Sequence, residues 1–185
     1  MWKLKRWNSC RLSPTPRVPS KGWDAASTRI ATIGQFEHFQ TGQAVIITIT
    51  QLEDQGTEAQ KRDAKPLLEV LRIEAGLCGA SATILAGEDF NSPPRGDAYE
   101  VLTAPESMIM NVANIIPPEQ SYGNEMTFTG FFDGSTPSRV DFIFARKKDK
   151  IKYETYAVLA NCFDDGVFLS YHRACVADFR LLPDD

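Results

Sequence analysis

Two carboxylates, one amide and one imidazole in this sequence have the chemistry needed to handle a phosphoester. Asp89 and Asn91 follow the short apolar run Ala82–Ala86. Asp141 lies within an alternating apolar segment, and His172 comes just before the last apolar segment. A carboxylate can hold a hard cation or take a proton from water, and an amide can hold a phosphate oxygen. An imidazole can protonate a leaving group, so this set would suffice for metal-assisted hydrolysis.

Each of these residues also has a purely structural interpretation. Residues 89–92 could form only an Asx-type turn before Pro93. Asp141 is a charged group among large apolar neighbours and therefore needs a partner, and Arg139 or Arg173 would serve. A single histidine at the start of a strand is more often structural than catalytic. The observation that favours a functional site is that all of these residues are predicted to lie at strand ends, because functional sites are commonly built from several loops.

The strands that would carry these residues are predicted from β-branched content and alternation. Ala44–Thr50 is a predicted strand that ends at the polar residues Gln51 and Glu53. In Arg139–Ala145, the side chains of Val140, Phe142 and Phe144 are predicted to share one face and Asp141 and Ile143 the other. Further strands are predicted at Ile30–Phe39, Ala82–Ala86, Met126–Thr129, Tyr153–Leu159 and Ala174–Leu181.

Two helices and one helical turn complete the prediction. Thr57–Ala75 has apolar residues at helical spacing, with Gly76 as the stop signal. Pro66 lies inside it and is expected to kink the helix, at a cost of about 3 kcal/mol. Asp97–Leu102 is a predicted short helix and Trp23–Arg29 a predicted helical turn. Strands mixed with helices predict a layered α/β domain.

Composition narrows the classes of protein that remain. The 185 residues suffice for one domain with a core. The net charge of −4, with Arg146–Lys148 as the one basic cluster, argues against a strong non-specific grip on nucleic acid. No apolar stretch is long enough to span a bilayer. The four cysteines show no metal-binding spacing, so free thiols are expected, although one disulfide is also compatible with the sequence. Met1–Arg11 lacks the apolar core of a secretory signal, so a cytoplasmic location is the default expectation.

An ordered set of motifs resembles the endonuclease/exonuclease/phosphatase (DNase-like) superfamily. Gly-Glu-Asp-Phe-Asn-Ser at 87–92 resembles its Gly-Asp-Phe-Asn-Ser motif. Arg-Val-Asp-Phe-Ile at 139–143 resembles Arg-Ile-Asp-Tyr-Ile, and Ser-Tyr-His-Arg at 170–173 resembles Ser-Asp-His-Arg. Three further segments fit a fungal and bacterial branch of the family: Ser20–Asp24, Thr127–Gly130 and Asp164–Val167.

The resemblance implies a fold and a chemistry. The implied fold is of the α/β (α+β) class: a partial two-layer β-sandwich of mixed sheets with flanking helices, lacking the family's N-terminal part. Residues 12–185 would be a truncated family domain, and residues 1–11 an unmatched segment. The implied chemistry is Mg²⁺-dependent attack of water on a phosphoester. Asp89 would activate the water and contact the metal, Asn91 would orient the phosphate, His172 would protonate or stabilise at phosphorus, and Asp141 would fix the tautomer of His172.

Departures from the family pattern predict a weakened site. The family's Asn-Thr-His-Leu motif reads Ile-Thr-Gln-Leu at 49–52, so Gln51 replaces a histidine. Tyr171 replaces the aspartate that precedes the last histidine, and Glu88 interrupts the order Gly-Asp-Phe-Asn. The family's metal-binding glutamate has no counterpart here. Mg²⁺ binding, for which Asp89 would be nearly alone, is therefore expected to be weak.

Three interpretations remain open. The first is an active phosphodiesterase or phosphatase with a reduced site. The second, which the departures favour, is a truncated and catalytically impaired remnant. The third is a non-catalytic module that binds phosphate. The acidic balance favours a small phosphorylated molecule or a lipid headgroup over a polynucleotide, and a sheet short of strands would favour self-association.

Overall fold

The computed structural model of the chain describes residues 1–79, 81–131 and 135–183, apart from the side chain of Glu88. Within these residues the chain forms a six-stranded sheet, a three-stranded sheet and two α-helices. The strands are β1 (Trp2–Arg11), β2 (Ile30–His38), β3 (Ala44–Thr50), β4 (Thr83–Asp89), β5 (Ile109–Asn111), β6 (Ser121–Gly123), β7 (Asp141–Arg146), β8 (Ile151–Val158) and β9 (Cys175–Leu181). The helices are α1 (Thr57–Cys78) and α2 (Asp97–Thr103).

Both sheets are mixed, as the predicted fold class requires. The large sheet has the order β1-β2-β3-β4-β7-β5, and the small one has the order β6-β8-β9. Strands β3 and β4 are parallel, and β4 pairs antiparallel with β7. The β3–α1–β4 connection is therefore a crossover that places α1 against the sheet. This arrangement brings the end of β4 and the start of β7 to one edge of the layer.

The two faces of β7 bury different cores, as its alternation predicts. Phe142 and Phe144 belong to the core between the large sheet and the helices. Ala145 belongs to a second core shared with Tyr156 and Val158 of β8, and Ile143 packs against it. The large sheet is thus covered by helices on one side and by the small sheet on part of the other.

Helix α1 is longer than predicted. Its buried residues Ala64, Leu67 and Leu71 confirm the predicted apolar face. The helix continues through Gly76 and ends at Gly79, whose φ is 102° and whose N–H donates to the Ala75 carbonyl. Burial of the apolar face outweighs the weak helix propensity of the glycine, because most helical stability in proteins comes from packing.

Three local predictions need correction. Trp23–Arg29 forms turns and bends instead of a helical turn, and the Asp24 carboxylate accepts a 2.7 Å hydrogen bond from the Ala59 N–H in the first turn of α1. Asp24 is therefore used to cap a helix instead of to form one. Met126–Thr129 makes isolated bridges through Phe128 but no strand. The segment Met1–Arg11, to which no element was assigned, provides β1 at the edge of the large sheet.

Part of the large sheet exposes apolar side chains on the face opposite the helices, outside the area that the small sheet covers. Trp7 pairs with Gly34, which in turn pairs with Ile47, so these side chains lie in one row. Trp7 is 67% exposed and Ile47 is 41% exposed. Among the described residues, β9 pairs on one side only, with β8.

In the part of the chain that the structure describes, we found no helix with the length and apolar character needed to cross a membrane.

We expect this exposed row to drive self-association, because a free strand edge beside apolar surface is a template for pairing. Sedimentation velocity over a range of protein concentrations would show species larger than the monomer. Ile47→Thr should reduce that association, whereas Ile73→Thr, a similar change at an exposed position on α1, should leave it unchanged. A monomer at every concentration that binds no hydrophobic dye would contradict this prediction.

Candidate functional site

Asp89 and Asp141 lie side by side because of the β4–β7 register. The two residues are direct partners across the antiparallel pair, with Gly87 opposite Ile143. Opposed residues in a sheet point to the same face, so both carboxylates lie on the side of the small sheet. The pairing runs without a register shift through Glu88, whose side chain lies outside the described residues. The additional residue in the motif therefore does not turn Asp89 away from the site.

His172 joins the two carboxylates from the segment that leads into β9. Its Nδ1 lies 2.8 Å from Asp141 Oδ2, and its Nε2 lies 3.9 Å from Asp89 Oδ2. Asp141 is therefore paired with the imidazole, and neither arginine considered from the sequence is its partner: Arg173 donates to the Met126 carbonyl, and Arg139 lies over the Phe142 ring.

The three side chains form a compact group of potential ligands. One ligand atom from each of Asp89, Asp141 and His172 lies within 4.8 Å of the others. The group could therefore hold a metal ion. The side chain of His172 is 19% exposed and that of Asp89 8% exposed, so an ion or substrate would reach the group mainly from the imidazole side.

Gln51 contacts Asp89 directly. Its Nε2 donates to Asp89 Oδ2 at 3.0 Å, and its Oε1 accepts from Arg29 Nη1 at 3.0 Å. Arg29 also forms salt bridges with Glu53 and Asp54. Gln51, at the position of the family histidine, thus links Asp89 to Arg29, whose charge is already compensated. Its amide cannot act as an acid or a base near neutral pH.

Asn91 lies beside Asp89, but its side-chain donor is used by the loop. Its backbone N–H donates to Asp89 Oδ1 at 2.8 Å, which is the Asx-type turn considered from the sequence. Its Nδ2 donates to the Leu52 carbonyl at 2.9 Å, and its φ is 48°. The structure therefore brings Asp89, Asp141 and His172 together and places the amide of Asn91 in the contact between two strand-end loops.

Burial is the main influence on the Asp89 carboxyl and raises its pKa. Hydrogen bonds from the Asn91 N–H and from Gln51 lower the pKa, and the nearby Asp141 charge raises it further. The net direction is upward, so Asp89 retains its proton to a higher pH than an exposed aspartate does. A protonated Asp89 is a weaker ligand for a cation and repels a phosphate less.

A second pair of buried carboxyls lies behind Gln51. Burial would raise the pKa of Glu53, but donors from Gln55, Ala26 and Arg29 lower it to about 2. The pKa of Asp63 on α1 is raised to about 7. Burial is the main cause, and the nearby Glu53 charge acts in the same direction. Asp63 Oδ1 has no hydrogen-bond partner among the described residues, and Oδ2 accepts from the Glu53 N–H at 3.4 Å. Near neutral pH the folded protein is therefore charged at Glu53 and partly protonated at Asp63.

We expect Asp63→Asn to stabilise the protein above pH 7 but not near pH 4. An unfolded aspartate titrates near pH 4, so between about pH 4 and 7 the folded state holds more protons and the free energy of unfolding falls as pH rises. Asparagine removes this loss, and we expect a gain on the order of 2 kcal/mol at pH 8. Urea unfolding at both pH values measures the effect. Glu69→Gln, at an exposed position on the same helix, should show no such pH dependence; an equal gain at pH 4 would contradict the explanation.

Aromatic side chains surround the imidazole, and of these only Tyr171 was identified from the sequence as a site position. The ring centroids of Tyr171 and Phe128 lie 4.7 and 5.3 Å from that of His172. Phe131 contacts the Tyr171 ring at 5.2 Å. The signal available in the sequence was the density of aromatic residues in segments 128–131 and 168–171, which are far apart along the chain.

An open cleft of about 420 Å³ leads to the group from the inter-sheet side. Its lining includes Asp141 and His172 together with apolar residues of both sheets, among them Ile49, Ile143 and Cys175. Cys175, like the other three cysteines, is a free thiol. The polar part of the lining consists of Asp141 and His172 together with Ser170 and Arg173.

Comparison with known proteins places this geometry in a family. The sequence profile of the Endonuclease/Exonuclease/phosphatase family matches residues 11–170. A solved endonuclease/exonuclease/phosphatase from Bacteroides vulgatus is 24% identical with a TM-score of 0.83, covering 98% of this chain and 67% of that chain. A mannosyl-6-phosphatase from Bacteroides thetaiotaomicron is 23% identical with a TM-score of 0.82, covering 97% and 67% respectively. The human Nocturnin catalytic domain with bound sulfate is 18% identical with a TM-score of 0.72, covering 98% and 60%.

These structures establish how far the likeness extends. The chain spans about two thirds of the length of the two bacterial structures and less of the human one. At these identities the likeness shows a shared fold. No curated protein sequence matches the chain significantly. The family profile, however, covers most of the chain and includes Asp89 and Asp141. The chain therefore belongs to the endonuclease/exonuclease/phosphatase family.

Proposed function

We propose that this chain binds small phosphoesters at the Asp89–Asp141–His172 group and hydrolyses them far more slowly than other members of its family, or not at all. The observation that carries this proposal is the His172–Asp141 hydrogen bond of 2.8 Å beside Asp89. The phosphate-facing half of the site is assembled, while Gln51 and Tyr171 replace groups that take part in proton and metal chemistry in the family. Phosphoester-handling relatives with the same fold support the substrate class.

The roles of the residues follow from the hydrogen bonds. With the Nδ1 proton donated to Asp141, the imidazole is fixed in orientation and its Nε2 lies 3.9 Å from Asp89 Oδ2. Once protonated, that Nε2 can donate to a phosphate oxygen or to a leaving group. Asp141 stabilises the charged imidazole. Asp89 can accept a proton from water: its raised pKa strengthens it as a base, whereas its hydrogen bond from Gln51 weakens it.

The donor set is a poor fit to Mg²⁺. This ion prefers near-octahedral oxygen ligands, and carboxylates usually anchor it. Asp141 is committed to His172, and both oxygens of Asp89 accept hydrogen bonds, from Gln51 and from the Asn91 N–H. The third group is an imidazole, which Mg²⁺ rarely takes. We therefore expect weak Mg²⁺ binding and assign no step of the reaction to the ion.

An active enzyme with a reduced site is the second candidate. The observation in its favour is the intact His172–Asp141 pair, since an oriented imidazole is a sufficient general acid at neutral pH. Under this alternative, Asp89 would act as the general base and hydrolysis would depend on both residues.

Binding of methylphosphonate, a simple phosphoester mimic, tests the proposal. At pH 6 we expect saturable NMR shifts at the amides of residues 89–91 and 170–173. His172→Ala should weaken binding at least ten-fold, because it removes the cationic donor. His38→Ala provides the matched control, since His38 is the other histidine and bonds the N-terminus and Thr41 instead. Equal binding in both variants, or no binding to the parent chain, would overturn the proposal.

A further inference from the structure

A wall of aromatic rings, three of them exposed and one half-buried, extends outward from His172. The wall consists of Phe128, Phe131, Phe168 and Tyr171. Successive centroids lie 6.2 Å apart for Phe168 and Phe131, 5.2 Å for Phe131 and Tyr171, and 4.7 Å for Tyr171 and His172. Phe131 is 45% exposed and Tyr171 42% exposed, whereas the side chain of His172 is 19% exposed. Phe168, Phe131 and Tyr171 thus form a row of contacting rings that begins beside the imidazole and continues outward.

Backbone pairing holds the wall in place. The Thr129 N–H donates to the Tyr171 carbonyl at 2.9 Å, and the Arg173 N–H donates to the Thr127 carbonyl. Asn161, which is buried, adds a clamp: its Nδ2 donates to Thr129 Oγ1 at 2.8 Å and to the Ser170 carbonyl at 2.7 Å. The rings are therefore carried by two segments that are fixed to each other, so little order would have to be gained when a ligand packs on them.

The charges around the wall disfavour a polyanion. Residues 157–171 contain no lysine or arginine, and Asp164 and Asp165 lie in the turn that follows Phe163. The nearest arginine in the sequence, Arg173, donates to the Met126 carbonyl. A polynucleotide needs a succession of cations along its backbone. A single phosphate with an uncharged, flat body meets no such requirement.

We propose that the wall is the specificity-determining surface of the site and selects phosphoesters whose organic group is aromatic. The phosphate lies at His172, and the aromatic group packs on Tyr171 and Phe131 in an offset or edge-to-face arrangement. This inference rests on the proposed phosphoester binding and adds the chemical class of the ligand. Tyr171 then has a positive role: it replaces a carboxylate with a ring that contacts the body of the ligand.

Phenylphosphonate and methylphosphonate distinguish the ring contribution from the phosphate contribution. We expect phenylphosphonate to bind at least about ten-fold more tightly at pH 6, with shifts that include residues 128–131. Tyr171→Leu and Phe131→Leu should each reduce this preference to about three-fold or less. Tyr171→Phe should retain the preference, since the ring and not the hydroxyl supplies the contact. Phe163→Leu is the matched control at a 55% exposed phenylalanine outside the wall, and it should change neither affinity.

The possible results separate this inference from the proposed function. Equal affinity of the parent chain for the two phosphonates, with binding still lost in His172→Ala, would overturn the aromatic preference and leave phosphoester binding standing. A preference that survives both leucine variants would also overturn the role of the wall. Failure of both phosphonates to bind would overturn the inference together with the proposed function.

Discussion

Phosphoester hydrolysis by this chain is expected to be at least about a thousand-fold slower than hydrolysis by a family member that retains the histidine and the aspartate at the positions of Gln51 and Tyr171. Residues that act as a unit show strongly non-additive losses, so two replacements in one site can remove nearly all of the rate. Gln51 neither donates nor accepts a proton near neutral pH, and it occupies an oxygen of Asp89 with a hydrogen bond. Tyr171 offers an aromatic ring where a carboxylate would attract a cation.

Release of p-nitrophenol from mono- and bis-p-nitrophenyl phosphate, in Mg²⁺ and in Mn²⁺, measures this deficit. The parent chain should be compared with Asp89→Ala, His172→Ala and Tyr171→Asp, with His38→Ala as the control. Metal-dependent turnover that disappears in Asp89→Ala would show that the chain is an active enzyme with a reduced site. If the hydrolysis rate rises in Tyr171→Asp alone, Tyr171 is the main cause of the low rate. The remaining groups of the site can then support hydrolysis.

Phe90→Ala should produce the largest loss of stability of any change beside the site. Phe90 is fully buried between Asp89 and Asn91, and its ring contacts Phe144 edge-on at 4.8 Å and Phe142 at 6.2 Å. Deleting a buried phenyl ring removes apolar burial and leaves a cavity, so we expect a loss of about 3–5 kcal/mol in the free energy of unfolding.

Urea unfolding measures this loss, and Phe163→Ala is the control because its ring is 55% exposed. We expect the control to change the free energy of unfolding by less than about 0.5 kcal/mol. Phosphonate affinity should fall in Phe90→Ala as well, because the buried ring that is lost supports the chain between Asp89 and Asn91. A small stability loss would mean that the core closes around the vacancy.

The sequence pattern predicted the elements whose periodicity is enforced by burial. Strand β3 has the predicted bounds, and the two faces of β7 separate into two cores as its alternation requires. Predictions failed where a side chain serves a partner remote in sequence. Asp24 caps α1 instead of starting a helix, and β1, with its lysines and tryptophans, is defined by its pairing with β2 more than by its own pattern.

The pairing of residues within the site was predictable only through the family resemblance. Asp141 and His172 are 31 residues apart, and no local spacing announces their hydrogen bond. The contact of Gln51 with Asp89 depends on the parallel pairing of β3 with β4, which brings two strand ends together. Asn91 was expected to face the phosphate, but hydrogen-bond competition from the Leu52 carbonyl determines where its donor points.

The candidate site joins the two layers of the fold. Asp89 and Asp141 belong to the large sheet, while His172 enters the small one through β9, and no strand pairs across the layers in the part of the chain that the structure describes. A local opening that slides one layer off the other would therefore separate the imidazole from Asp141 while both ladders stay intact. Moderate pressure or dilute denaturant should break the His172–Asp141 hydrogen bond, and with it phosphonate binding, well before either sheet unfolds. The His172 ring signal would then act as a gauge of how closely the layers are docked.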